Sequence, residues 1–289
     1  MSDTRGVFSL RELYELKVQD QWVPLDDVWV APSPFFATPP NTGYFGGGAP
    51  GPKSTMDKVT FASDTTAAIP NANLTAARYR LAATGNTTHG YFGGGSPTTS
   101  LMDKVTYSSD TTAAVPNANL TVARSNLAAT GNSTHGYFGG GGPGPFSTMD
   151  RVTYSADTTA AVPNANLSAA RYGLAATGNS THGYFGGGGP GPLSTMDKVT
   201  YSSDTTAAVP NANLTTARGY LAATGNSTHG YFGGGGPFPS SSTMDKVTYS
   251  TDTTAAVPGA NLSAARYGLA ASSARANALP STSPVPVYV

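Results

Sequence analysis

Histidine is the first residue type in this sequence whose spacing could support chemistry. The four histidines are His89, His135, His182 and His229, and each directly precedes the motif Gly-Tyr-Phe-Gly-Gly. A ring of imidazoles could bind zinc, but zinc needs its ligands about 2 Å from a single point. Residues spaced 46 or 47 positions apart, with Thr42 in the fifth equivalent place, fit a structural or solvent-facing role better. We therefore expect no metal site.

Paired carboxylates are the second candidate for chemistry. Asp197 and Asp204 are the acids of one repeated unit, and the unit also contains the bases Lys198 and Arg218. General acid–base catalysis needs two carboxyls in different environments, whereas repeated copies have nearly equal environments. The pattern favours ion pairs at strand ends and between units, with Lys198 and Arg218 as the partners. We predict no catalytic residue.

A glycine-rich segment is the third candidate. Residues 46–55, GGGAPGPKST, approach a phosphate-binding loop, but Pro52 separates Gly51 from Lys53. In two other copies Phe146 and Leu193 stand in place of the lysine. A phosphate loop also leads into a helix, and here a strand-like sequence follows. No nucleotide or other cofactor is predicted.

Composition narrows the remaining classes of function. Only 11% of the 289 residues are charged and the formal net charge is zero, so no global field attracts nucleic acid or an acidic membrane. The absence of cysteine excludes disulfides, thiolate metal sites and cysteine nucleophiles. The first thirty residues lack the apolar run of a signal peptide. No run of 18 apolar residues follows, so we expect no membrane span.

An internal repeat positions all of these residues. The motif GYFGGG begins at residues 43, 90, 136, 183 and 230, which gives spacings of 47, 46, 47 and 47 residues. Within one unit, four short strand-like segments occupy residues 171–178, 182–187, 197–203 and 205–210, separated by turn residues. Four antiparallel strands in a unit of this length are typical of a propeller blade. The sequence predicts an all-β, five-bladed β-propeller.

The two ends of the repeat region predict how the ring closes. The chain enters at residues 42–48 without a preceding LAATGN, and leaves after residues 266–272 without a following GYFGGG. We expect the last strand to pair beside the first as a non-covalent latch, which removes both sheet edges. The small LAAT strands suit the crowded axis, and the Tyr, Phe, Val and Met side chains should fill the space between blades. This divides the chain into a leader (1–42), a propeller (43–273) and a C-terminal tail (274–289).

The unit resembles the kelch repeat. The matches are an Arg before the first strand, a glycine pair after an aromatic second strand, and a Tyr followed by an Asp-containing turn. Ala207 or Ala208 stands where the kelch repeat has Trp, so the unit is kelch-like. The LAATGN and GYFGGG motifs are similar to motifs in repeat proteins of marine phages, especially cyanophages. The leader is similar to segments that precede phage tail-associated repeats. The resemblance implies a location in the virion, in its tail.

The leader has a composition of its own. Ser9 and Glu12 form a capping-box pattern that predicts a short helix over about residues 10–18. An apolar, strand-like piece follows, and the leader contains both tryptophans of the chain. It either packs on the propeller or docks to a neighbouring virion subunit, since Trp is enriched at interface hot spots. The candidate interface residues are Phe8, Leu10, Leu13, Tyr14, Trp22 and Trp29.

The resemblance implies a non-enzymatic structural or attachment protein of a phage particle, tail or tail-fibre associated. Its expected partners are other tail proteins, further copies of the chain, and a host-surface glycan or protein. The first alternative is a lectin-like carbohydrate-binding propeller; an intracellular kelch-type adaptor ranks lower. Binding by the propeller is expected in the surface loops that vary between copies, at Pro97, Thr98, Phe146, Leu193 and Phe238.

Overall fold

The computed structural model describes residues 42–236 and 240–271. These residues form 19 β-strands in five antiparallel sheets. Blade 1 contains β1 (Thr42–Gly46), β2 (Met56–Thr60) and β3 (Thr65–Ala68). Blade 2 contains β4 (Ala82–Gly85), β5 (His89–Gly93), β6 (Met102–Thr106) and β7 (Thr111–Ala114). Blade 3 contains β8 (Ala128–Gly131), β9 (His135–Gly139), β10 (Met149–Thr153) and β11 (Thr158–Ala161). Blade 4 contains β12 (Ala175–Gly178), β13 (His182–Gly186), β14 (Met196–Thr200) and β15 (Thr205–Ala208). Blade 5 contains β16 (Ala222–Gly225), β17 (His229–Gly233), β18 (Met244–Thr248) and β19 (Thr253–Ala256).

The predicted five-bladed β-propeller is therefore confirmed, with four strands in every blade except the first. A short connector leads from the outer strand of each blade toward the axis, and it begins with a 3-10 turn. The turns are Pro70–Ala72, Pro116–Ala118, Pro163–Ala165, Pro210–Ala212 and Pro258–Ala260. Proline suits the first position because its φ is already fixed and it has no amide hydrogen to satisfy. The Asn after each turn then fixes the connector to the sheet; Asn213 Oδ1, for example, accepts a hydrogen bond of 2.9 Å from the Met196 amide.

Strand register gives each blade two different faces. In blade 4, Tyr184 lies opposite Lys198 and Phe185 opposite Asp197. Successive side chains of a strand point to opposite faces, so these two pairs lie on opposite faces of the sheet. Tyr184 packs in the cluster shared with blade 5, and Phe185 in the cluster shared with blade 3. We call the face that carries Tyr184 the leading face, because it points toward the next blade. The face that carries Phe185 is the trailing face, which points toward the previous blade.

The hydrophobic core lies between blades, as the sequence predicted. Four clusters fill the four junctions between consecutive blades from 1 to 5. Between blades 3 and 4, Tyr137 and Met149 pack against Phe185, Val199 and Tyr201. The rings of Tyr137 and Tyr201 stack with centroids 4.8 Å apart. Burial of one such side chain stabilises a fold by about 1.5–3 kcal/mol, and the repeat multiplies that contribution.

The junction between blade 5 and blade 1, which we call the seam, differs from the other four. None of the four clusters and none of the ion pairs in the described residues crosses it. Phe45, on the trailing face of blade 1, is 49% exposed, whereas its equivalent Phe138 is fully buried. Arg266 is exposed, whereas its equivalent Arg218 is 1% exposed. The seam thus exposes one leading and one trailing face.

The latch departs from the expected strand pairing. Residues 269–271 form no strand, and β1 pairs only with β2, so blade 1 has three strands in the described part. In the complete blades, an Asn turn connects the first two strands; Asn179 Oδ1, for instance, accepts hydrogen bonds from the amides of Thr181 and His182. No such turn joins the last repeat to β1, so nothing local imposes their register. Leu269 still occupies the inner position, next to Gly234, as Leu221 does next to Gly187.

Candidate functional site

The inner ends of all five repeats surround a central channel. Its wall is formed by β1, by the four inner strands β4, β8, β12 and β16, and by residues 269–271. At one end the channel widens into a cavity of about 740 Å³. Five residues in equivalent positions surround this opening, and we call them the mouth ring: Arg80, Asn126, Gly173, Tyr220 and Gly268.

The mouth ring has an unusual backbone conformation. All five residues are left-handed, including the three that are not glycine: Arg80 at φ 57°, Asn126 at φ 54° and Tyr220 at φ 54°. Each successive member donates its amide hydrogen to the preceding carbonyl, with N···O distances of 2.9, 2.8, 2.6 and 2.8 Å from Asn126 to Gly268. A non-glycine residue in this conformation carries a strain of about 1–2 kcal/mol. Glycine would avoid that strain, as it does at Gly173 and Gly268.

Side chains of the mouth ring and its neighbours make the cavity aromatic and cationic. The Arg80 guanidinium carbon lies 5.2 Å from the centroid of the Tyr79 ring. The Tyr220 ring covers Gly173, where an added Cβ would lie 3.1 Å from the ring carbons. Tyr267 also lines the cavity, and none of the described lining residues is acidic. Arg80 is exposed, and it forms no ion pair with another described residue.

A second depression lies between blades 3 and 4, and we call it the groove. It has a volume of about 570 Å³ and includes His135, His182, Arg151 and Asp204. Each histidine shares a 2.8 Å hydrogen bond between Nδ1 and the preceding threonine hydroxyl. Burial lowers the pKa of both imidazoles, and the nearby cations Arg151 and Lys198 lower it further. The groove therefore offers neutral imidazoles and hydroxyls at neutral pH.

The four histidines lie at the starts of four different strands, and two of them, His135 and His182, line the groove. In the described residues, no group of three or more His, Asp or Glu side chains could hold a metal ion. Thr88, Thr134, Thr181 and Thr228 each bond the Nδ1 atom of the following histidine. The histidines thus belong to the turns that start β5, β9, β13 and β17.

The carboxylates form ion pairs at the junctions, but with other partners than the sequence suggested. Asp197 bonds Arg171 of the connector that enters blade 4, at 2.7 Å, and both side chains are fully buried. Asp204 bonds Arg151 of blade 3. Lys198 and Arg218, named as the partners from sequence, instead bond Asp252 and Asp245 of blade 5. The earlier pairing is wrong because contacts run from each blade to the next.

Equivalent contacts recur at the other junctions. The buried pairs are Arg78–Asp103, Arg124–Asp150, Arg171–Asp197 and Arg218–Asp245. The half-buried pairs, each joined by a tyrosine hydroxyl, are Lys58–Asp110, Lys104–Asp157, Arg151–Asp204 and Lys198–Asp252. If the seam had the same contacts as the other junctions, Arg266 would form an ion pair with Asp57, and Lys246 would form one with Asp64. Neither pair is present among the described ion pairs.

In the segment that resembles a phosphate loop, the amides of the glycine pair bond carbonyls of the propeller itself. Gly47 donates to the Thr55 carbonyl at 3.0 Å, and Gly48 donates to the Arg78 carbonyl at 3.0 Å. A Cβ on Gly47 would lie 2.5 Å from the Arg78 oxygen, so glycine is needed where the strand passes the connector. The next element is the strand β2 and not a helix, as the sequence predicted.

The predicted loop residues lie apart from both cavities. Pro97 and Thr98 are exposed, whereas Phe146 and Leu193 are half-buried. Phe146 pairs with Arg171 in an isolated β-bridge, and the Leu193 carbonyl accepts from the Arg218 amide at 3.0 Å. These two residues therefore position the buried arginines. Phe238 and the leader candidates Phe8, Leu10, Leu13, Tyr14, Trp22 and Trp29 lie outside the described residues.

The mouth ring was missed from sequence, although a signal for it exists. The position before each inner leucine reads Arg, Asn, Gly, Tyr and Gly in the five copies. Most neighbouring positions repeat with little change, so five residues of four types mark the place where the symmetry breaks.

Acid is expected to weaken the junctions through the aspartates of the half-buried pairs. Burial raises the pKa of Asp157 and is the largest single influence, but hydrogen bonds from Lys104 and Tyr91 outweigh it and the net pKa is lowered. A folded pKa below the unfolded value of about 3.9 stabilises the fold above pH 4, and this stabilisation is lost as the pH falls through the folded pKa. Asp157→Asn should flatten the loss of stability between about pH 4 and pH 2 in urea unfolding.

Asp64 provides the matched control, since it is the equivalent aspartate at the seam and has no ion-pair partner among the described residues. Asp64→Asn should leave the acid dependence unchanged. Equal effects of the two substitutions would contradict the assignment of the acid response to the junction pairs.

Comparison with known proteins does not assign a function to the mouth ring or the groove. Within the described residues, no helix has the length and apolar character needed to cross a membrane. No family model matches the chain, and no curated protein matches it either. The chain is a five-bladed β-propeller of antiparallel blades, four-stranded except for the first.

Proposed function

We propose that this protein is a non-enzymatic structural or attachment protein of a phage particle, associated with the tail or tail fibre. One observation carries the proposal: differences between the repeats are concentrated at one end of the propeller. There the loops after the glycine pairs read SPTTSL, GPGPFST, GPGPLST and GPFPSSST in blades 2 to 5. The mouth ring lies at the same end, because Gly48 and Ala49, where the loop of blade 1 begins, line the same cavity.

The rest of each blade supports a role in which the propeller presents its variable loops. At the four junctions from blade 1 to blade 5, the recurring charged residues join neighbouring blades: Arg124 and Asp150 are both fully buried, and Tyr137 donates to Asp204 at 2.6 Å. A framework in which the repeated polar groups hold the blades together can vary its loops without loss of the fold. Similarity of the repeats and the leader to phage tail-associated sequences supports the virion context.

In this proposal the leader attaches the propeller to the particle through its apolar residues, including Trp22 and Trp29. Deletion of residues 1–30 should abolish incorporation of the protein into particles, as measured by immunoblot of purified virions. The purified deletion variant should retain the far-ultraviolet circular dichroism of the propeller. The matched control is deletion of residues 278–289, which should leave incorporation unchanged. Normal incorporation without the leader would refute the anchoring role.

The groove favours carbohydrate binding as a second candidate function. It places the imidazoles of His135 and His182 beside the hydroxyls of Thr134 and Thr181 on a shallow surface between two blades. Because the same residue types recur at the other blades, several equivalent sites would result. A glycan array probed with the purified protein tests this candidate, and absence of binding to every saccharide would reject it.

A further inference from the structure

We propose that the mouth of the channel is a binding site for a saccharide that bears a carboxylate. The mouth is distinct from the groove, and the inference does not depend on a location in the virion. It starts from the backbone: three members of the mouth ring, Arg80, Asn126 and Tyr220, hold a left-handed conformation that glycine adopts without strain. Two equivalent positions do contain glycine, so the repeat had an unstrained solution available.

Strained residues that gather around one cavity are typical of functional sites, where the side chains justify the conformation. Here the three strained side chains differ from one another and all line the same opening. A structural role would favour one residue type in every copy, as it does for the buried arginines. The differences therefore point to recognition of a single asymmetric ligand on the axis.

The chemistry of the cavity indicates the ligand. Tyr220 and Tyr267 line the cavity and are 39% and 51% exposed, and the apolar C–H faces of a pyranose can pack on aromatic rings. The leucines of the inner strands form the apolar floor; they are Leu81, Leu127, Leu174, Leu221 and Leu269. The Asn126 amide can donate to and accept from sugar hydroxyls. These features fit one or more sugar rings.

Arg80 adds selection for an anion. Among the described residues it is the one charged side chain that lines the cavity, and none of their carboxylates pairs with it. Its guanidinium can bind a carboxylate through two parallel hydrogen bonds. The cavity volume of about 740 Å³ is within the usual range for small-molecule sites. A uronic acid unit combines the required carboxylate with the ring faces and hydroxyls.

The test uses the purified full-length chain, with tetragalacturonate as the probe in isothermal titration calorimetry. Saturable binding is expected, and maltotetraose, a neutral oligosaccharide of equal length, should bind at least about tenfold more weakly. Arg80→Gly and Tyr220→Gly should each weaken tetragalacturonate binding at least about tenfold. The same variants should unfold at an equal or higher temperature, because glycine relieves the left-handed strain. A merely structural role would leave affinity unchanged.

Two control variants locate the site. Lys53→Ala removes a cation outside the cavity, and His182→Ala alters the groove; both should bind tetragalacturonate with wild-type affinity. The proposal is overturned if the wild-type chain shows no binding at about 1 mM probe, or if Arg80→Gly binds normally. It is also overturned if His182→Ala loses binding, or if tetra-aspartate binds as tightly as the saccharide. A failed incorporation test of the leader would leave these results unaffected.

Discussion

Substitution of Arg124 by methionine is expected to lower the free energy of unfolding by about 3–5 kcal/mol. Both Arg124 and its partner Asp150 are fully buried, with 2.7 Å between Nη2 and Oδ2. Arg124 also donates to the Thr148 and Phe138 carbonyls at 2.7 and 3.0 Å. Methionine fills much of the volume, but it leaves the Asp150 carboxylate buried without its cation and removes the hydrogen bonds to the two carbonyls. Urea denaturation followed by circular dichroism measures the difference.

Arg266 supplies the matched control because it has the same place in the last repeat but is exposed. Arg266→Met should change the free energy of unfolding by less than about 0.5 kcal/mol. The double variant Arg124→Met/Asp150→Leu should recover much of the loss, since the uncompensated charge is gone. Equal losses for Arg124→Met and Arg266→Met would show instead that Arg266 is buried at a closed seam in solution.

The blade architecture could be predicted from sequence because its signals are local and repeated. A spacing of 46 or 47 residues gives the number of blades. The alternation around Val199 and Tyr201 gives a strand with two faces, and the Gly178-Asn179 turn separates the first two strands of the same blade. The strand and turn signals depend on residues a few positions apart, and the repeat supplies several copies of each.

Partners between blades could not be read in the same way. Asp197 is adjacent in sequence to Lys198, yet its partner is Arg171 and that of Lys198 is Asp252. Because the two residues point to opposite faces, they belong to different junctions. The sequence gives the alternation of faces but not which neighbouring blade each face meets. Repetition conceals this further, since every copy offers the same candidate partners.

The candidate site was hidden for a related reason. The demand for a left-handed backbone at the mouth ring is visible in sequence only as Gly173 and Gly268, and three other residue types conceal it. Because glycine is also frequent in the loops, Gly173 and Gly268 did not indicate a special position. The closure of the ring was expected from the half-units at the two ends. The geometry of the seam depends on packing between the first and last blades, which no local pattern reports.

Phe138 is expected to be among the most sensitive core positions: Phe138→Ala should lower the free energy of unfolding by about 3–5 kcal/mol. The ring is fully buried in the junction between blades 2 and 3. It packs so closely on the backbone that a Cβ on Gly93 would lie 2.9 Å from a ring carbon. The blades are held at these contacts, so the surrounding strands cannot collapse into the cavity that alanine would leave. Thermal and urea unfolding of the two proteins measure the loss.

Phe45 tests the same contact at the seam. It is the equivalent residue of blade 1 but is 49% exposed, and Gly233, which would receive its ring, has only Met244 and Leu262 nearby. Phe45→Ala should therefore lower the free energy of unfolding by less than about 1 kcal/mol. A loss as large as that of Phe138→Ala would mean that blade 5 and blade 1 meet in solution as the other blades do. The difference between the free-energy losses of Phe138→Ala and Phe45→Ala thus measures how closely blade 5 packs against blade 1.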